Sequence, residues 1–295
     1  MCSGSELTDR GKIVHPRPSC VAGVEIDLSD TRYRLVSCLE CDFTFKDPPI
    51  DEYRLMECYK RSSSDHWEES PDPHVRQFDR FATLIKSAAK GRRVLDIGCF
   101  NGAFLEYLGE DWDRYGIEPS AAAAKVAGQR GVNVLAANME DLDEDTESFD
   151  VVLAIDLLEH LVEPLPFFHS VKNLMKPAGV FLTSTGNSDA FHWRIQGGLY
   201  YYTRIPEHVS FYNKQVFEYV ASSFGWRCAG FHFMPHKRLP TNRWVKDTIK
   251  NAVYVVGCRC RGFGIAPLYR KLVSGKGPSY FSASDHVVCL FQSVG

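Results

Sequence analysis

A glycine-containing turn near the middle of the chain has the residue types of a ligand-binding loop. The segment D-I-G-C-F-N-G (Asp96–Gly102) follows an apolar run and precedes a short helical pattern. A dinucleotide-binding turn, G-x-G-x-x-G, needs its second glycine so that the pyrophosphate can approach the backbone. Phe100 occupies that position and blocks the approach, and no phosphate-binding lysine follows. The turn therefore predicts a ligand without phosphates.

S-adenosylmethionine (SAM) is a ligand of that kind. Its amino-acid end can meet Asp96 and the glycine backbone, and its ribose needs a carboxylate at the end of the second strand. Glu118 is that carboxylate, because it lies about 20 residues beyond the turn, as the geometry of such sheets requires. Asp96 and Glu118 therefore predict a SAM site.

Strands and helices alternate from residue 75 onward, which indicates an α/β fold with a parallel sheet and helices on both faces. Ser120 and Gly131 are placed to begin and end one helix. The predicted strands are 93–98, 115–118, 132–136, 149–155, 179–184, 226–234 and 285–292, and the predicted helices are 104–108, 120–130, 166–175 and 214–224.

The chain resembles the class I SAM-dependent methyltransferases, within the broad group that modifies small molecules and sugars. The resemblance covers about residues 78–226. It implies a Rossmann-like, doubly wound, mostly parallel seven-stranded sheet with N-terminal and C-terminal additions. The matching segments are V-L-D-I-G-C-F-N-G (94–102), G-I-E-P-S (116–120), A-N-M-E-D-L (137–142), F-D-V-V-L-A-I-D-L-L-E-H (149–160), L-M-K-P-A-G (174–179) and E-H-V-S-F-Y (207–212).

The resemblance also implies roles for single residues. Asn138 stands where the family usually has an aspartate that accepts from the adenine amino group, and an amide oxygen can still accept there. The implied SAM-binding residues are Asp96, Gly98 and Gly102 for the methionine half, Glu118 for the ribose, Asn138 and Met139 for the adenine, and Ile155 with Asp156 beside the methyl group.

Transfer of a methyl group to a hydroxyl needs a base near the reacting atoms. His208, in P-E-H-V-S-F-Y, is the first candidate, with Glu207 to orient it and His192 as a weaker choice. His160, in the E-H dipeptide after a strand, is a second catalytic candidate; for both His160 and His208 a purely structural role stays open. Aromatic residues between 191 and 212 suit a ring-shaped acceptor, or equally the core of a lid.

The N-terminal region carries one C-x-x-C pair, Cys38 and Cys41, which resembles half of the zinc module found in some sugar-modifying methyltransferases. His15 and Cys20 stand at a spacing that would complete a Cys3His site. Zinc is therefore left open, a metal-free ribbon is favoured, and no metal-binding residue is predicted. The predicted domains are an N-terminal cysteine-containing lid segment (1–70), the SAM-binding core (71–235), a basic insert (236–283) and the last strand of the core (284–295).

Composition limits the partners. The 295 residues are 44% hydrophobic and carry a net charge of -3, which excludes a disordered chain and gives no electrostatic case for binding nucleic acid. Apolar runs are too short for a transmembrane helix, and no secretory signal is seen, so a reducing cytoplasm is predicted. The basic insert could contact an anionic membrane surface or a phosphorylated acceptor, although packing on the protein's own core is favoured.

The sequence thus predicts a SAM-dependent methyltransferase acting on a hydroxyl of a small molecule or glycan, including a nucleotide-linked or lipid-linked sugar. Two alternatives stay open: an N-methyltransferase on an amino sugar or other amine, and a non-catalytic binding protein with a vestigial methyltransferase fold.

Overall fold

Seven strands of the described chain form one central sheet. The computed structural model describes residues 1–2, 4–16, 18–61, 75–143, 148–235 and 284–294, with the single positions 245 and 249. The sheet comprises β6 (Arg93–Ile97), β7 (Asp113–Ile117), β8 (Asn133–Ala136), β9 (Phe149–Ile155), β10 (Met175–Gly186), β12 (Trp226–Met234) and β13 (His286–Ser293). Their spatial order is β12-β13-β10-β9-β6-β7-β8.

The direction of the strands confirms the α/β prediction. Strands β6 to β10 pair in parallel, whereas β13 is antiparallel to both of its neighbours, β10 and β12. The order reverses between β6 and β9, and ligands of such sheets bind outside the carboxyl ends of the strands at that point. The described helices of this part are α2 (Val75–Ala88), α3 (Ala103–Leu108), α4 (Ala121–Gln129), α5 (Pro164–Leu174), α6 (Phe191–Gln196) and α7 (Lys214–Phe224).

Local signals explain where two helices begin. The Ser120 hydroxyl accepts from the backbone N–H of Ala123 at 3.4 Å, and Asn213 accepts from Val216 at 3.0 Å. Each bond satisfies a backbone donor that a helix leaves unpaired in its first turn. The predicted cap at Ser120 is confirmed, and α7, β9 and β12 have the predicted bounds.

The N-terminal region is a β structure, which its weak periodicity did not predict. It contains β1 (Leu7–Lys12), β2 (Ser19–Val21), β3 (Val24–Ile26), β4 (Arg34–Cys38) and β5 (Thr44–Asp47), followed by α1 (Glu52–Arg61). Strands β1, β4 and β5 form a sheet whose fourth strand is β11 (Ser210–Phe211). The N-terminal sheet is therefore completed by the segment that carries E-H-V-S-F-Y. The predicted boundary near residue 70 lies outside the described residues, and so does the basic insert except for the single positions 245 and 249.

Two hydrophobic layers enclose the central sheet. One layer includes Phe168, Phe217 and Phe291, all fully buried. The other layer packs α2 and α3 on the sheet through Phe81 and Leu105. A third cluster joins the N-terminal strands to the segment after β10. These layers hold the carboxyl ends of β6, β7 and β9 in fixed positions beside the glycine turn.

We expect Gly102→Ala to destabilise the fold. Gly102 has a φ of 73°, and a Cβ there would lie 2.9 Å from Val132 Cγ2 and 3.1 Å from the Ala127 backbone. Left-handed strain and overpacking together should lower the free energy of unfolding by about 2–4 kcal/mol. Urea denaturation without SAM measures the change.

Gly128→Ala is the matched control, because Gly128 lies in α4 and a Cβ there meets nothing within 4 Å. It should leave the free energy of unfolding unchanged or raise it by up to about 1 kcal/mol. Equal destabilisation by both substitutions would contradict the packing argument.

Candidate active site

The turn after β6 is held in a conformation that favours glycine. Gly98 and Gly102 have φ of 77° and 73°, and Phe100 also adopts a positive φ, of 50°. The Gly98 N–H donates to the Ile117 carbonyl at 2.9 Å, which fastens the turn to the end of β7. The predicted loop is therefore present at the carboxyl ends of two parallel strands.

Two carboxylates flank this turn. The two carboxylates are those of Asp96 and Glu118, and both are buried. Glu118 accepts from the N–H of Phe100 at 2.9 Å and from the N–H of Ser120 at 2.8 Å. Burial and the neighbouring Glu118 raise the pKa of Asp96 to about 7. Among the described residues, Asp96 Oδ1 is buried without a hydrogen-bond partner. A buried acceptor that lacks a donor fits a cationic ligand group such as the SAM ammonium.

The remaining predicted SAM-binding residues lie at the same edge of the sheet. Asn138 precedes a 3-10 turn (Met139–Asp141), and its amide donates to Asp141 Oδ2 at 2.8 Å. Met139 is partly buried against the core, and Ile155 ends β9. An adenine ring would thus meet a short polar turn beside one apolar side chain.

The two histidine candidates lie together. The rings of His208 and His160 have centroids 5.0 Å apart, and the His208 ring packs on Tyr202 at 4.1 Å. His160 donates to the backbone carbonyl of Glu207, so its Nδ1 accepts from the Tyr59 hydroxyl at 2.7 Å. Burial lowers the pKa of His160 to about 4, although Asp156 opposes this. His160 is therefore a neutral ring that supports His208 from one side.

The buried carboxylate of Glu159 fixes Tyr202, which packs on the His208 ring as His160 also does. Glu159 accepts from the Thr185 hydroxyl at 2.7 Å and from the Tyr202 hydroxyl. Burial and the nearby Asp156 raise the pKa of Glu159 to about 7. The phenol that contacts His208 is thus fixed by Glu159. The sequence named the E-H dipeptide but not this hydrogen bond, which joins residues far apart in the chain.

Asp156 and His286 form an ion pair that the sequence did not indicate. His286 Nε2 lies 2.7 Å from Asp156 Oδ1, which also accepts from the Ser184 hydroxyl at 2.6 Å. Burial opposes protonation of the ring, but Asp156, Glu159 and Asp285 raise the pKa of His286 to about 9. Asp156 itself has a φ of 50° at the carboxyl end of β9. The pair holds this turn against β10 and β13.

The aromatic side chains after β10 form mainly a core. Trp193 packs on Tyr200, Tyr202 and Phe211 with centroids 4.9–5.6 Å apart, and all four are buried, whereas Phe191 is exposed. Of the two interpretations left open by the sequence, the lid core describes these buried rings.

The residue whose sulfur lies next to Cys38 and Cys41 is Cys2, whereas the spacing in the sequence suggested His15 and Cys20. Cys2, Cys38 and Cys41 present sulfur atoms within 4.8 Å of one another. His15 instead bonds the Arg204 carbonyl at 3.0 Å, and Cys20 is exposed on β2. Burial opposes ionisation, but the N–H groups of Cys41 and Glu40 lower the pKa of Cys38. Burial raises the pKa of Cys41 to about 12. The three sulfur atoms would supply three of the four ligands of a zinc site, and His15 and Cys20 are not among them.

Comparison with known proteins identifies the family. A sequence profile described as "Methyltransferase domain" matches residues 71–229, more than half of the chain. The chain therefore belongs to the class I SAM-dependent methyltransferases, and SAM is the cofactor of the family.

Two curated relatives carry the name ubiquinone biosynthesis O-methyltransferase. The protein from Coxiella burnetii is 29% identical over 164 residues, which cover 50% of this chain and 70% of the relative. The protein from Rhodopseudomonas palustris is 32% identical over 154 residues, which cover 49% of this chain and 60% of the relative. The similarity is thus confined to about half of this chain.

Solved structures support the same fold. A SAM-dependent methyltransferase from Thermotoga maritima matches with a TM-score of 0.52 at 16% identity, over 80% of this chain and 98% of that chain. A chain from the complex of the Haloferax volcanii Trm112 methyltransferase activator with a methyltransferase also has a TM-score of 0.52, at 12% identity, over 78% and 97%. At these identities the likeness concerns the fold alone. In addition, none of the described helices is long and apolar enough to cross a membrane.

The Asp156–His286 pair predicts a pH-dependent stability. The folded-state pKa of His286 is raised from 6.5 to about 9. The contribution of the charged ring to the free energy of unfolding is therefore complete below pH 6.5 and is lost as the pH rises through 9. Relative to His286→Gln, the wild type should be more stable by about 3 kcal/mol at pH 6 and should lose this advantage near pH 9.5. Urea denaturation at four pH values measures the difference.

His169→Gln provides the control, because His169 is exposed on α5. The free energy of unfolding of His169→Gln should stay close to that of the wild type at every pH. A difference between the wild type and His286→Gln that does not vary with pH would show that His286 is not charged in the folded protein.

Proposed function

We propose that the protein transfers the methyl group of SAM to a hydroxyl of a small molecule or glycan, with His208 as the base. The observation that carries this proposal is the position of His208 next to the turn that follows β9. Leu157 of this turn lies 3.4 Å from the Cβ position of Gly98, and His160 of the same turn packs on His208. One short turn therefore links the glycine loop to an imidazole that can accept a proton.

The cofactor residues form part of the proposal. Asp96 Oδ1 would accept from the ammonium of the methionine half, and Gly98 and Gly102 leave the backbone open to it. Glu118 would accept from the ribose hydroxyls while keeping its bonds to the turn, since each carboxylate oxygen has a second lone pair. Asn138 and Met139 would flank the adenine, and Ile155 would lie beside the methyl group.

When bound, SAM supplies an electrophilic methyl group on a sulfonium. His208 would take the hydroxyl proton on an imidazole nitrogen, while the acceptor oxygen bonds to the methyl carbon and the sulfur leaves with the electron pair of the carbon–sulfur bond. Tyr202 and His160 restrict the tilt of the His208 ring, because they pack on it at 4.1 and 5.0 Å. Base strength is needed for a hydroxyl and much less for an amine, which is why this imidazole favours O-methylation.

Two features support the acceptor class. The curated relatives are named as O-methyltransferases, although they match only half of this chain. His208 packs on the Tyr202 ring, and a Glu159 carboxylate oxygen lies within 4.8 Å of a His208 ring nitrogen, so an aromatic and a polar group stand beside the proposed base, which suits a ring bearing hydroxyls. Radiolabelled methyl transfer to phenols, sugars and matched amines tests the class and identifies the atom that is methylated.

Loss of either carboxylate should weaken cofactor binding. We expect Asp96→Asn and Glu118→Gln each to raise the Kd for SAM about 10-fold to 100-fold, because each removes a charge-assisted hydrogen bond. Isothermal titration calorimetry measures the Kd. Glu110→Gln, at an exposed position, should keep the wild-type value. Wild-type affinity in both Asp96→Asn and Glu118→Gln would place the cofactor elsewhere.

Loss of the base should affect turnover and leave cofactor binding unchanged. His208→Ala should lower kcat for a hydroxyl acceptor about 100-fold to 10,000-fold, which is the usual contribution of a general base. The Kd for SAM should stay within threefold of the wild type. His169→Ala is the control, since that side chain is exposed on α5. Unchanged turnover of an amine acceptor in His208→Ala would favour N-methylation instead.

A further inference from the structure

A lysine of the N-terminal sheet is buried against the segment that carries His208. The Lys46 side chain extends from β5, is 1% exposed, and donates through Nζ to the carbonyls of Ile205 at 2.7 Å and Pro206 at 3.1 Å. Burial lowers the pKa of Lys46 well below its usual range, although Glu207 opposes this. A buried amine is costly unless its N–H groups are paired, so the two carbonyls define where this side chain can lie.

The backbone adds to the same contact. The Lys46 N–H donates to the Val209 carbonyl at 2.9 Å, and β5 pairs with β11 through Phe45 opposite Ser210. Lys46 therefore binds the chain on both sides of His208, at residues 205–206 through its side chain and at 209 through its backbone. His208 occupies the short span between these two points.

Glu207, which the sequence suggests as the residue that orients His208, is also close to Lys46. Burial raises the pKa of Glu207, and the charge of Lys46 and the Ala22 backbone oppose this. The Glu207 carboxylate therefore lies near Ala22 and Lys46 of the N-terminal region. Lys46 is the side chain that binds the backbone of residues 205 and 206. It lies outside the residues that the family profile matches.

We propose that Lys46 is a positioning residue for methyl transfer, and that it acts by holding the segment 205–209 so that His208 meets the acceptor. This inference rests on the proposed role of His208. It makes the N-terminal sheet a part of the catalytic apparatus, because Lys46 on β5 supplies this contact from outside the residues that the family profile matches.

The first test is a double-mutant cycle between Lys46 and His208. Lys46→Met keeps the apolar stem and removes both side-chain donors. It should lower kcat about 10-fold to 100-fold, as expected for a small displacement of a reacting group, and should leave the Kd for SAM within threefold. In a His208→Ala background the same substitution should change kcat less than threefold. Lys60→Met, which removes an exposed lysine of α1, is the control.

The second test does not depend on activity. The His208 ring resonance, assigned by its absence in His208→Ala, should shift in Lys46→Met and stay unchanged in Lys60→Met. If Lys46→Met fails to fold, Lys46→Gln, which retains N–H donors on a shorter side chain, is measured in both tests with an intermediate effect expected.

The outcomes separate the two proposals. Equal loss of kcat in the wild-type and His208→Ala backgrounds, or an unchanged His208 resonance, would overturn the positioning role of Lys46. If His208→Ala has normal turnover, the proposed base is wrong. In that case the resonance alone decides whether Lys46 fixes the ring.

Discussion

The burial of charged and polar groups around the turn at residues 156–160 constrains the rest of the structure. Every one of these groups needs a partner, and the partners come from several elements: Thr185 from β10, His286 from β13, and Tyr202 from the segment after α6. The backbone takes part as well, since the Glu159 carbonyl accepts from Val209 at 2.7 Å. Removing one partner would leave a buried charge unpaired, which costs more than the pair itself contributes. Val209 directly precedes β11, so the turn couples the end of the central sheet to the N-terminal sheet.

Much of the fold follows from local patterns. The apolar run of β9, the cap at Ser120 and the bounds of α7 depend on neighbouring residues only, and each agrees with the sequence-based expectation. The glycine turn and its flanking carboxylates are equally local, because a strand, a tight turn and a helix follow one another within a few residues. The positions of Asp96, Gly98 and Glu118 at one edge of the sheet could thus be predicted, whereas their roles toward SAM stay predictions.

The residues that were not foreseen depend on contacts between distant parts of the chain. Cys2 meets Cys38 across 36 positions, His286 meets Asp156 across 130, and Lys46 meets Pro206 across 160. No spacing in the sequence encodes such contacts. The N-terminal strands were missed for a related reason: they are short, and β5 pairs with β11, which lies far away along the chain. Pairing between distant strands, and not local propensity, defines this region.

The antiparallel pairing of β12 and β13 brings the ends of their long connection together, because Met234 lies opposite His286. Residues 236–283 thus leave and rejoin the fold at one place, and that place is the strand end that carries the partner of Asp156. Insertions, deletions and substitutions in this connection can accumulate without altering the register of the sheet. A change in the length of this connection would therefore leave the Asp156–His286 pair where it is, because His286 is paired with both neighbouring strands of the sheet.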